Sequence, residues 1–176
     1  MNTNFERAKE EKAEDLFGEH IIKNAGKDEW LTPPEIIKAL GAFDLDPCAP
    51  IKRPWASAIR HYTIADNGLL LPWQGRVWCN PPYGTSTGIW LQRCAAHGNA
   101  IALTFARTET KMFFETVWDT ADALFFFQGR IKFYHITGKQ GESAGAPSVL
   151  IAYGQQNAEA LNTAGLSGKY IRLKPA

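Results

Sequence analysis

Short apolar segments alternate with helical patterns along most of this chain, and three of these segments end in a polar side chain. Strands that alternate with helices predict a mainly parallel sheet, and the closing run of strands predicts an antiparallel edge. The polar residues that end predicted strands are Asp46, Asp66 and Asn80. Ligands of open α/β sheets bind at the carboxyl edge of the strands, so we expect these three side chains to converge on one crevice.

The pattern divides the chain into brief elements joined by short connections. Strands are predicted at residues 42–49, 60–67, 75–80, 99–106, 122–129, 130–136 and 146–154, and helices at 32–41, 85–98 and 110–121. Residues 137–147 are rich in glycine and predict a loop that moves.

The first helix carries recognisable end signals. Thr32 is the predicted N-cap, Pro33 the first helical residue, and Gly41 closes the helix. Its predicted buried face consists of Ile36, Ile37 and Leu40.

A length of 176 residues fits one domain large enough for a sheet covered on both sides. Residues 1–27 are charged and poorly patterned, so we assign them to an N-terminal extension and residues 28–176 to the domain. No stretch approaches the roughly 18 to 20 apolar residues of a membrane span. The N-terminus has charges where a signal peptide needs an apolar core, which predicts a cytoplasmic protein.

Cysteine and histidine are few and lack the spacing of metal ligands. The cysteines form no CxxC pair, which predicts buried thiols rather than a disulfide framework or a zinc site. The residues concerned are Cys48, Cys79, Cys94, His20, His61, His97 and His135. We therefore predict no metal site.

Charge is unevenly distributed, although the net charge is only +1. Residues 1–29 hold five Lys/Arg against eight Asp/Glu, which leaves 14 against 10 for residues 30–176. This bias predicts a local basic face of the kind that nucleic-acid partners need.

The segment CNPPYG, residues 79–84, follows a predicted strand and is the least ordinary stretch of the sequence. Asn80 and Pro81 each precede a proline, which disfavours the α region for both and leaves a stiff loop with free carbonyl groups. The Asn80 side-chain oxygen and the Pro81 carbonyl can accept both hydrogens of a planar amino group, and the Tyr83 ring offers a stacking face. The alternative is a proline-rich surface turn.

Six segments in order resemble one known family. They are DEWLTPPEI, FDLDPCA, DNGLLLPW, VWCNPPYG, ARTETKMFFE and GRIKF. Together, over about residues 28 to 153, they are similar to the compact phage and prophage DNA adenine-N6 methyltransferases, a Dam-type family within the NPPY amino-methyltransferases. The resemblance implies an abbreviated Rossmann-like α/β fold, S-adenosylmethionine as methyl donor and double-stranded DNA as substrate, in a bacterial cell that carries the phage or prophage.

The resemblance also implies a mechanism and places catalysis at Asn80, Pro81, Pro82 and Tyr83. In it, the Asn80 oxygen and the Pro81 carbonyl accept both N6 hydrogens of adenine and aim the nitrogen lone pair at the methyl group. No strong base is then required before transfer. The adenine must leave the duplex at a cost of a few kcal/mol, which stacking on Tyr83 partly offsets.

The implied cofactor contacts are Trp30, Thr32, Pro33, Asp46, Pro47, Cys48, Asp66 and Asn80. Asp46 is expected near the methionine or ribose part and Asp66 at the adenine amino group, while Thr32 and Pro33 flank the methionine part. Simpler interpretations remain open: Asp46 terminates a strand, Asp66 belongs to a DNG turn, and Trp30 fills the core.

The implied DNA contacts are Arg53, Arg107, Thr108, Lys111, Arg130 and Lys132. Ordinary loop positions are the alternative for residues 107–111, and a carboxylate inside the fold is the alternative partner for Arg130. No separate recognition domain is present in the sequence, so base readout is expected from residues 52–60, 84–88 or 137–147.

The sequence departs from the wider methyltransferase pattern between Asp46 and Asp66. No G-x-G follows the first strand, and the 19 intervening residues leave the strand that usually holds the ribose short or absent. The N-terminal segment or a second chain, in a homodimer, is then expected to complete the cofactor site.

Two other functions remain open: methylation of another planar amine (cytosine N4, an RNA base or a protein glutamine), and a non-catalytic DNA-binding phage accessory protein. Asn at position 80 favours adenine over cytosine by family analogy.

Overall fold

The structure, a computed structural model, describes residues 29–175, so the predicted extension at residues 1–27 lies outside the described residues. The strands are β1 Trp30–Leu31, β2 Leu45–Asp46, β3 Arg60–His61, β4 Val77–Cys79, β5 Ala100–Phe105, β6 Ala123–Phe127, β7 Lys132–His135, β8 Gln140–Ser143, β9 Ser148–Tyr153 and β10 Gly168–Arg172. The helices are α1 Pro34–Leu40, α2 Thr87–His97, α3 Lys111–Phe113 and α4 Gln155–Thr163; α3 continues as a π-helix over Phe114–Trp118.

Seven strands form one mixed sheet in the order β10-β6-β9-β5-β4-β2-β3. The pairs β3–β2, β2–β4 and β4–β5 are parallel, whereas β9 is antiparallel to both β5 and β6, and β10 is antiparallel to β6. Five strands therefore run in one direction and two run against it. An antiparallel edge is present as predicted, but it is formed by β10, which the sequence did not predict, and β9 is an antiparallel strand inside the sheet.

The order of the parallel strands reverses at β2. The chain leaves β2 for β3 on one side and then crosses to β4 on the other. In α/β sheets such a reversal opens a crevice beyond the carboxyl ends of the two diverging strands, because their connections leave on opposite faces. The crevice here lies after Asp46 and Cys79.

In the long strands, consecutive apolar residues point to opposite faces of the large sheet, so both faces are buried. In β5, Ala100 and Ala102 belong to one core cluster, while Ile101 and Leu103 belong to the other. Helix α2 and the α3 segment cover the first face, and α1 and α4 cover the second. This two-sided covering is what the strand and helix alternation predicts.

A second, three-stranded antiparallel sheet has the order β1-β7-β8. Its pairing brings Trp30 opposite His135 and Lys132 opposite Ser143. Strand β8 falls within the glycine-rich residues 137–147, so the prediction that this segment is a mobile loop is wrong at Gln140–Ser143. The alternation of QGES is too weak to indicate a strand, and the pairing with β7 supplies the order instead.

Three further element predictions need correction. Helix α1 starts after Pro33, which occupies the N-cap position in place of Thr32, and Ile37 is only half-buried. Strand β3 ends at His61, so Asp66 lies in a turn rather than at a strand end. Strand β9 is followed by α4 and β10, so it is not the last strand.

No helix within residues 29–175 is both long enough and apolar enough to cross a membrane.

Candidate active site

A cleft of about 1010 Å³ opens at the carboxyl ends of β2 and β4, where the strand order reverses. Of the residues predicted to form a site, it is lined by Trp30, Thr32, Asp46, Pro47, Cys48, Asn80, Pro81, Pro82 and Tyr83. The convergence expected from the sequence is therefore present for Asp46 and Asn80. Ligand pockets span about 300–1,000 Å³, so this cleft is at the upper end of that range.

Asp46 ends β2 at the floor of the cleft and is 5% exposed. The Cys48 backbone N–H donates to its Oδ1 at 3.1 Å, and the Ser57 hydroxyl donates to its Oδ2. Burial raises the pKa of Asp46 from 3.8 to about 6, and these hydrogen bonds together with Arg53 oppose that rise. The carboxylate is thus charged at neutral pH but at an energetic cost.

The turn after β3 lies directly on the strand that carries Asp46. A side chain at Gly68 would collide with Pro47, since its Cβ would lie 1.9 Å from the Pro47 carbonyl oxygen. This close approach requires glycine and holds Asn67 in the cleft wall, with φ at 51°. Left-handed backbone is strained for most residues but is tolerated by asparagine.

Asp66 and Asn67 have different surroundings. The Oδ2 of Asp66 accepts from the Thr63 backbone N–H at 2.8 Å and from the Thr63 hydroxyl at 2.9 Å, and these bonds lower the pKa of Asp66. Asp66 does not line the cleft. Asn67 does, and its Oδ1 is buried without a hydrogen-bond partner among residues 29–175. The turn that the DNG sequence favours therefore forms, and it presents the asparagine.

The diproline loop begins where β4 ends. Asn80 Nδ2 donates to the backbone carbonyl of Trp30 at 3.1 Å. A carbonyl only accepts, so this bond fixes which end of the amide is nitrogen. The Oδ1 atom is buried and has no donor among the described residues. An unpaired buried acceptor costs about 1–3 kcal/mol, a cost that a ligand donor would remove.

Tyr83 stands beside this amide with 38% of its surface exposed. Its ring packs on Phe105, with centroids 4.3 Å apart, and meets the edge of Phe133 at 6.4 Å. All three rings line the cleft. The loop geometry is further fixed by the Thr87 hydroxyl, which donates to the Pro82 carbonyl at 2.9 Å. The rings form an apolar recess next to a hydrogen-bond acceptor.

Cys48 lines the cleft, and its thiol contacts the buried thiol of Cys79. The Sγ atoms of Cys48 and Cys79 are 3.8 Å apart, and Cys79 and Cys94 are fully buried. Burial raises the pKa of Cys48 to about 11 and holds the pKa of Cys79 well above its usual value. The Cys48 and Cys79 thiols are therefore protonated at neutral pH. The prediction of buried thiols is correct for Cys79 and Cys94, whereas Cys48 is only half-buried. Across residues 29–175, no group of three His, Cys, Asp or Glu could hold a metal ion.

Other predicted residues lie outside the cleft. Pro33 is buried at the start of α1, and Lys111 pairs with Glu115 at 3.5 Å on the surface. The remaining predicted DNA contacts outside the lining are Arg53, Arg107, Thr108, Arg130 and Lys132. Arg53 donates to the Pro50 carbonyl at 2.8 Å and so shapes the loop beside the cleft.

Several lining residues carry no signal in the sequence. These lining residues are Trp55, Ser57, Asn67, Trp90, Phe105 and Phe133. Asn67 follows Asp66 in the DNG segment, so the motif indicated the turn that reaches the cleft, and the side chain that lines the cleft is that of Asn67. Phe105 and Phe133 sit in apolar strands whose pattern does not distinguish a core position from a cleft wall.

The family model described as DNA N-6-adenine-methyltransferase (Dam) matches residues 19–164. A search of the curated proteins and a search of the solved structures each gave no match. The matched span includes the whole cleft, the diproline loop and the elements from β1 to α4. The chain belongs to the DNA N-6-adenine-methyltransferase (Dam) family and is an S-adenosylmethionine-dependent DNA adenine-N6 methyltransferase.

Proposed function

We propose that the cleft holds S-adenosylmethionine and a target adenine side by side, and that the Asn80 amide and the Pro81 carbonyl receive the adenine amino group. The observation that carries this proposal is the buried, unpartnered Oδ1 of Asn80, whose orientation is set by the Trp30 carbonyl. An exocyclic amino group offers the donor that this oxygen lacks.

The chain's own contribution to the reaction is orientation. The adenine N6 lone pair is delocalised into the ring, which makes the nitrogen a poor nucleophile. Two acceptors on its hydrogens favour a pyramidal nitrogen and direct the lone pair to one side. S-adenosylmethionine, when bound, supplies an electrophilic methyl group. The Asp46 oxygens already accept hydrogen bonds from Cys48 and Ser57, and catalysis by orientation needs no carboxylate base before transfer.

The residues around Asp46 fit a cofactor with an ammonium group and hydroxyls. The buried carboxylate of Asp46 matches such donors, and the unpartnered hydroxyl of Thr32 lies in the same wall. Trp30, Pro47 and Cys48 add apolar surface around them. We assign this part of the cleft to the methionine and ribose, within an abbreviated Rossmann-like fold in which β3 is only two residues long.

The adenine of the cofactor is assigned to the turn at residues 66–68. A side-chain amide pairs with the edge of adenine through two hydrogen bonds, one accepted from the amino group and one donated to a ring nitrogen. The Asn67 amide faces the cleft and fits this pattern in either orientation. Asp66 supports the turn through Thr63, so its effect on the cofactor is indirect.

The recess formed by Tyr83, Phe105 and Phe133 is assigned to the target base. Stacking on aromatic side chains offsets part of the cost of taking a base out of a duplex, which is a few kcal/mol. The ring of Tyr83 is held at a fixed tilt by Phe105 (43° between the ring planes), so it is positioned before the base arrives.

The test is the identity of the product. The purified protein, S-adenosylmethionine and duplex DNA are incubated, and the DNA is digested to nucleosides and analysed by mass spectrometry. The deoxyadenosine methylated at N6, without deoxycytidine methylated at N4, is the expected result. Methylated cytosine in the DNA, or methyl transfer only to RNA or protein in parallel incubations that replace the duplex, would reject the assignment of the recess to adenine.

A further inference from the structure

The positive charge of the described chain is concentrated in two segments. Residues 50–57 and 129–145 contain five of the 14 Lys/Arg of residues 29–175 but only one of the 11 Asp/Glu. These 25 residues carry a net charge of +4, whereas the other 122 described residues carry −1. We call the two segments the basic rim.

The two segments of the basic rim pack on each other. The rings of Trp55 and Tyr134 meet edge to face, with centroids 5.2 Å apart. At the tip of the β7–β8 hairpin, a Cβ placed on Gly138 would lie 3.7 Å from Pro54. The segments are 70 or more residues apart in sequence, yet they form one continuous surface.

This surface borders the recess proposed for the target base. Trp55 and Phe133, one from each segment, line the cleft, and Phe133 contacts the ring of Tyr83. Strand β1, which pairs with β7, gives the Trp30 carbonyl that holds Asn80. A partner bound on the basic rim is therefore next to the diproline loop.

The cations of the basic rim are available to a partner. Lys52, Arg130, Lys132 and Lys139 are exposed, and none of them pairs with an acid within residues 29–175. Phe133 is buried between exposed Lys132 and half-buried Tyr134, as strand alternation requires. The hairpin can thus pack its apolar residue inward while it presents charge outward.

The competing surface at α3 has the opposite charge balance. Residues 107–119 contain Arg107 and Lys111 against three acids, and Lys111 pairs with Glu115. The Thr108 carbonyl accepts from the Trp118 indole at 3.0 Å, which is a contact within the fold. Phosphates would meet net negative charge there.

We propose that the basic rim is the surface on which duplex DNA docks, with its lysines contacting backbone phosphates beside the target adenine. This inference rests on the proposed function, because it uses the position of the recess. Of the DNA contacts that the sequence predicts, it retains Arg53, Arg130 and Lys132, adds Lys52 and Lys139, and assigns no role to Arg107, Thr108 or Lys111.

The test measures duplex binding as a function of salt. Fluorescence anisotropy with a labelled, adenine-containing duplex is recorded between about 50 and 200 mM salt for wild type and the triple variant K52Q/K132Q/K139Q. Each lost phosphate contact removes about 0.9 from the slope of log K against log salt, so the triple variant should lose about 2 to 3 units. At the lowest salt we expect it to bind at least about tenfold more weakly.

Lys169→Gln is the matched control, because Lys169 is an exposed lysine on the edge strand β10, outside the basic rim. Its slope should equal that of wild type. Calorimetric binding of S-adenosylhomocysteine should be the same in all variants, which shows that the triple variant is folded.

Several outcomes would overturn the inference. If the triple variant keeps the wild-type slope of log K against log salt, the docking surface lies elsewhere. The same conclusion follows if Lys111→Gln reduces that slope instead. Tighter binding of single-stranded RNA than of the duplex, with the same dependence on the three lysines, would reject DNA as the partner of this surface. If wild type makes N6-methyladenine while the triple variant binds normally, this inference fails and the proposed function stands; if wild type makes none, the proposed function itself fails.

Discussion

Asp46 is a charged residue placed where charge is costly. Its carboxylate is almost fully buried, and its hydrogen bonds to Cys48 and Ser57 only partly compensate for the loss of water. Functional sites often retain such groups because a ligand supplies the missing compensation. In the proposed site, the bound cofactor would supply this compensation to Asp46.

The raised pKa of Asp46 makes stability depend on pH with a definite sign. The folded state binds a proton up to about pH 6, whereas the unfolded state releases it near 3.8. The free energy of unfolding contributed by this group is thus highest below pH 4 and falls as pH rises to 6, by roughly 1.4 kcal/mol for each unit of pKa difference. In denaturant titrations, Asp46→Asn should remove this slope and be more stable than wild type at pH 7.5.

The affinity for the cofactor should change in the opposite direction. The charged carboxylate attracts the ammonium and hydroxyl groups, so calorimetry should show wild-type affinity rising between pH 5 and pH 7, while Asp46→Asn binds weakly at both. Equal pH profiles for the two proteins would contradict the role given to Asp46.

Asn67 should select the adenine of the cofactor. Wild type is expected to bind S-adenosylhomocysteine at least about tenfold more tightly than its deaminated form, because a lost hydrogen bond to a buried group costs about 1–3 kcal/mol. Asn67→Gly keeps a backbone that tolerates φ of 51° and should bind both compounds equally.

Asp66→Asn is the control for that comparison. An amide at this position can still accept from Thr63, so the turn and the preference for the amino form should persist. If Asp66→Asn loses the preference and Asn67→Gly keeps it, the adenine contact belongs to Asp66.

At the residue scale, nine of the eleven residues predicted for catalysis or cofactor binding line the cleft. The positions of Asp46, Asn80 and Tyr83 could be predicted from the sequence, because their neighbours restrict the backbone. Asp46 ends a strand and precedes a proline, and two prolines restrict the loop that begins at Asn80. The sequence could not show whether Asp66 or Asn67 lines the cleft, because that depends on the contact of Gly68 with Pro47, which are distant in the chain.

At the scale of elements, the cleft depends on very short strands that need external support. Strands β2 and β3 have two residues each, and β4 has three. Arg76, just before β4, provides part of that support. Its guanidinium donates to the Leu40 and Ala42 carbonyls at 2.9 Å each and to Asn157 Oδ1 at 2.7 Å. It therefore joins the end of α1, the approach to β2 and helix α4.

Loss of the Arg76 side chain should weaken the fold markedly. Arg76→Ala leaves the fully buried Asn157 without its donor, and we expect the free energy of unfolding to fall by about 3 kcal/mol. Arg76→Lys should recover less than half of the loss, because an ammonium cannot span three separated acceptors. Urea unfolding measures both, with Lys169→Ala as a surface control; a loss for Arg76→Ala below about 0.5 kcal/mol would contradict this account.

Element boundaries were predictable where local signals are strong. Helix α2 and strands β5, β6 and β9 lie inside their predicted segments, since each has a clear apolar period. Strand β8 and the π-helix at residues 114–118 were not predicted. Strand β8 depends on its pairing with β7. In the π-helix, the Thr116 carbonyl accepts from the buried hydroxyl of Tyr153 at 2.7 Å, which is a contact between residues distant in sequence.

At the scale of the whole molecule, one cleft at the reversal of strand order brings together a buried carboxylate, an oriented amide and an aromatic recess. The basic rim stands beside it, although the chain is nearly neutral. The sequence predicted the positive bias of the larger part of the chain, but the packing of Trp55 on Tyr134 was needed to see that the charge forms one surface.

The most direct test of the account compares Asn80→Ala with wild type in two measurements on the same preparations. One is transfer of labelled methyl groups to an adenine-containing duplex, and the other is calorimetric binding of S-adenosylhomocysteine. Asn162→Ala, on the exposed face of α4, is the matched control and should behave as wild type in both. We predict that Asn80→Ala loses at least about 100-fold in transfer rate, the usual effect of removing one preorganised hydrogen bond at a reacting group, while cofactor affinity is nearly unchanged. Transfer by Asn80→Ala at the wild-type rate would contradict the account.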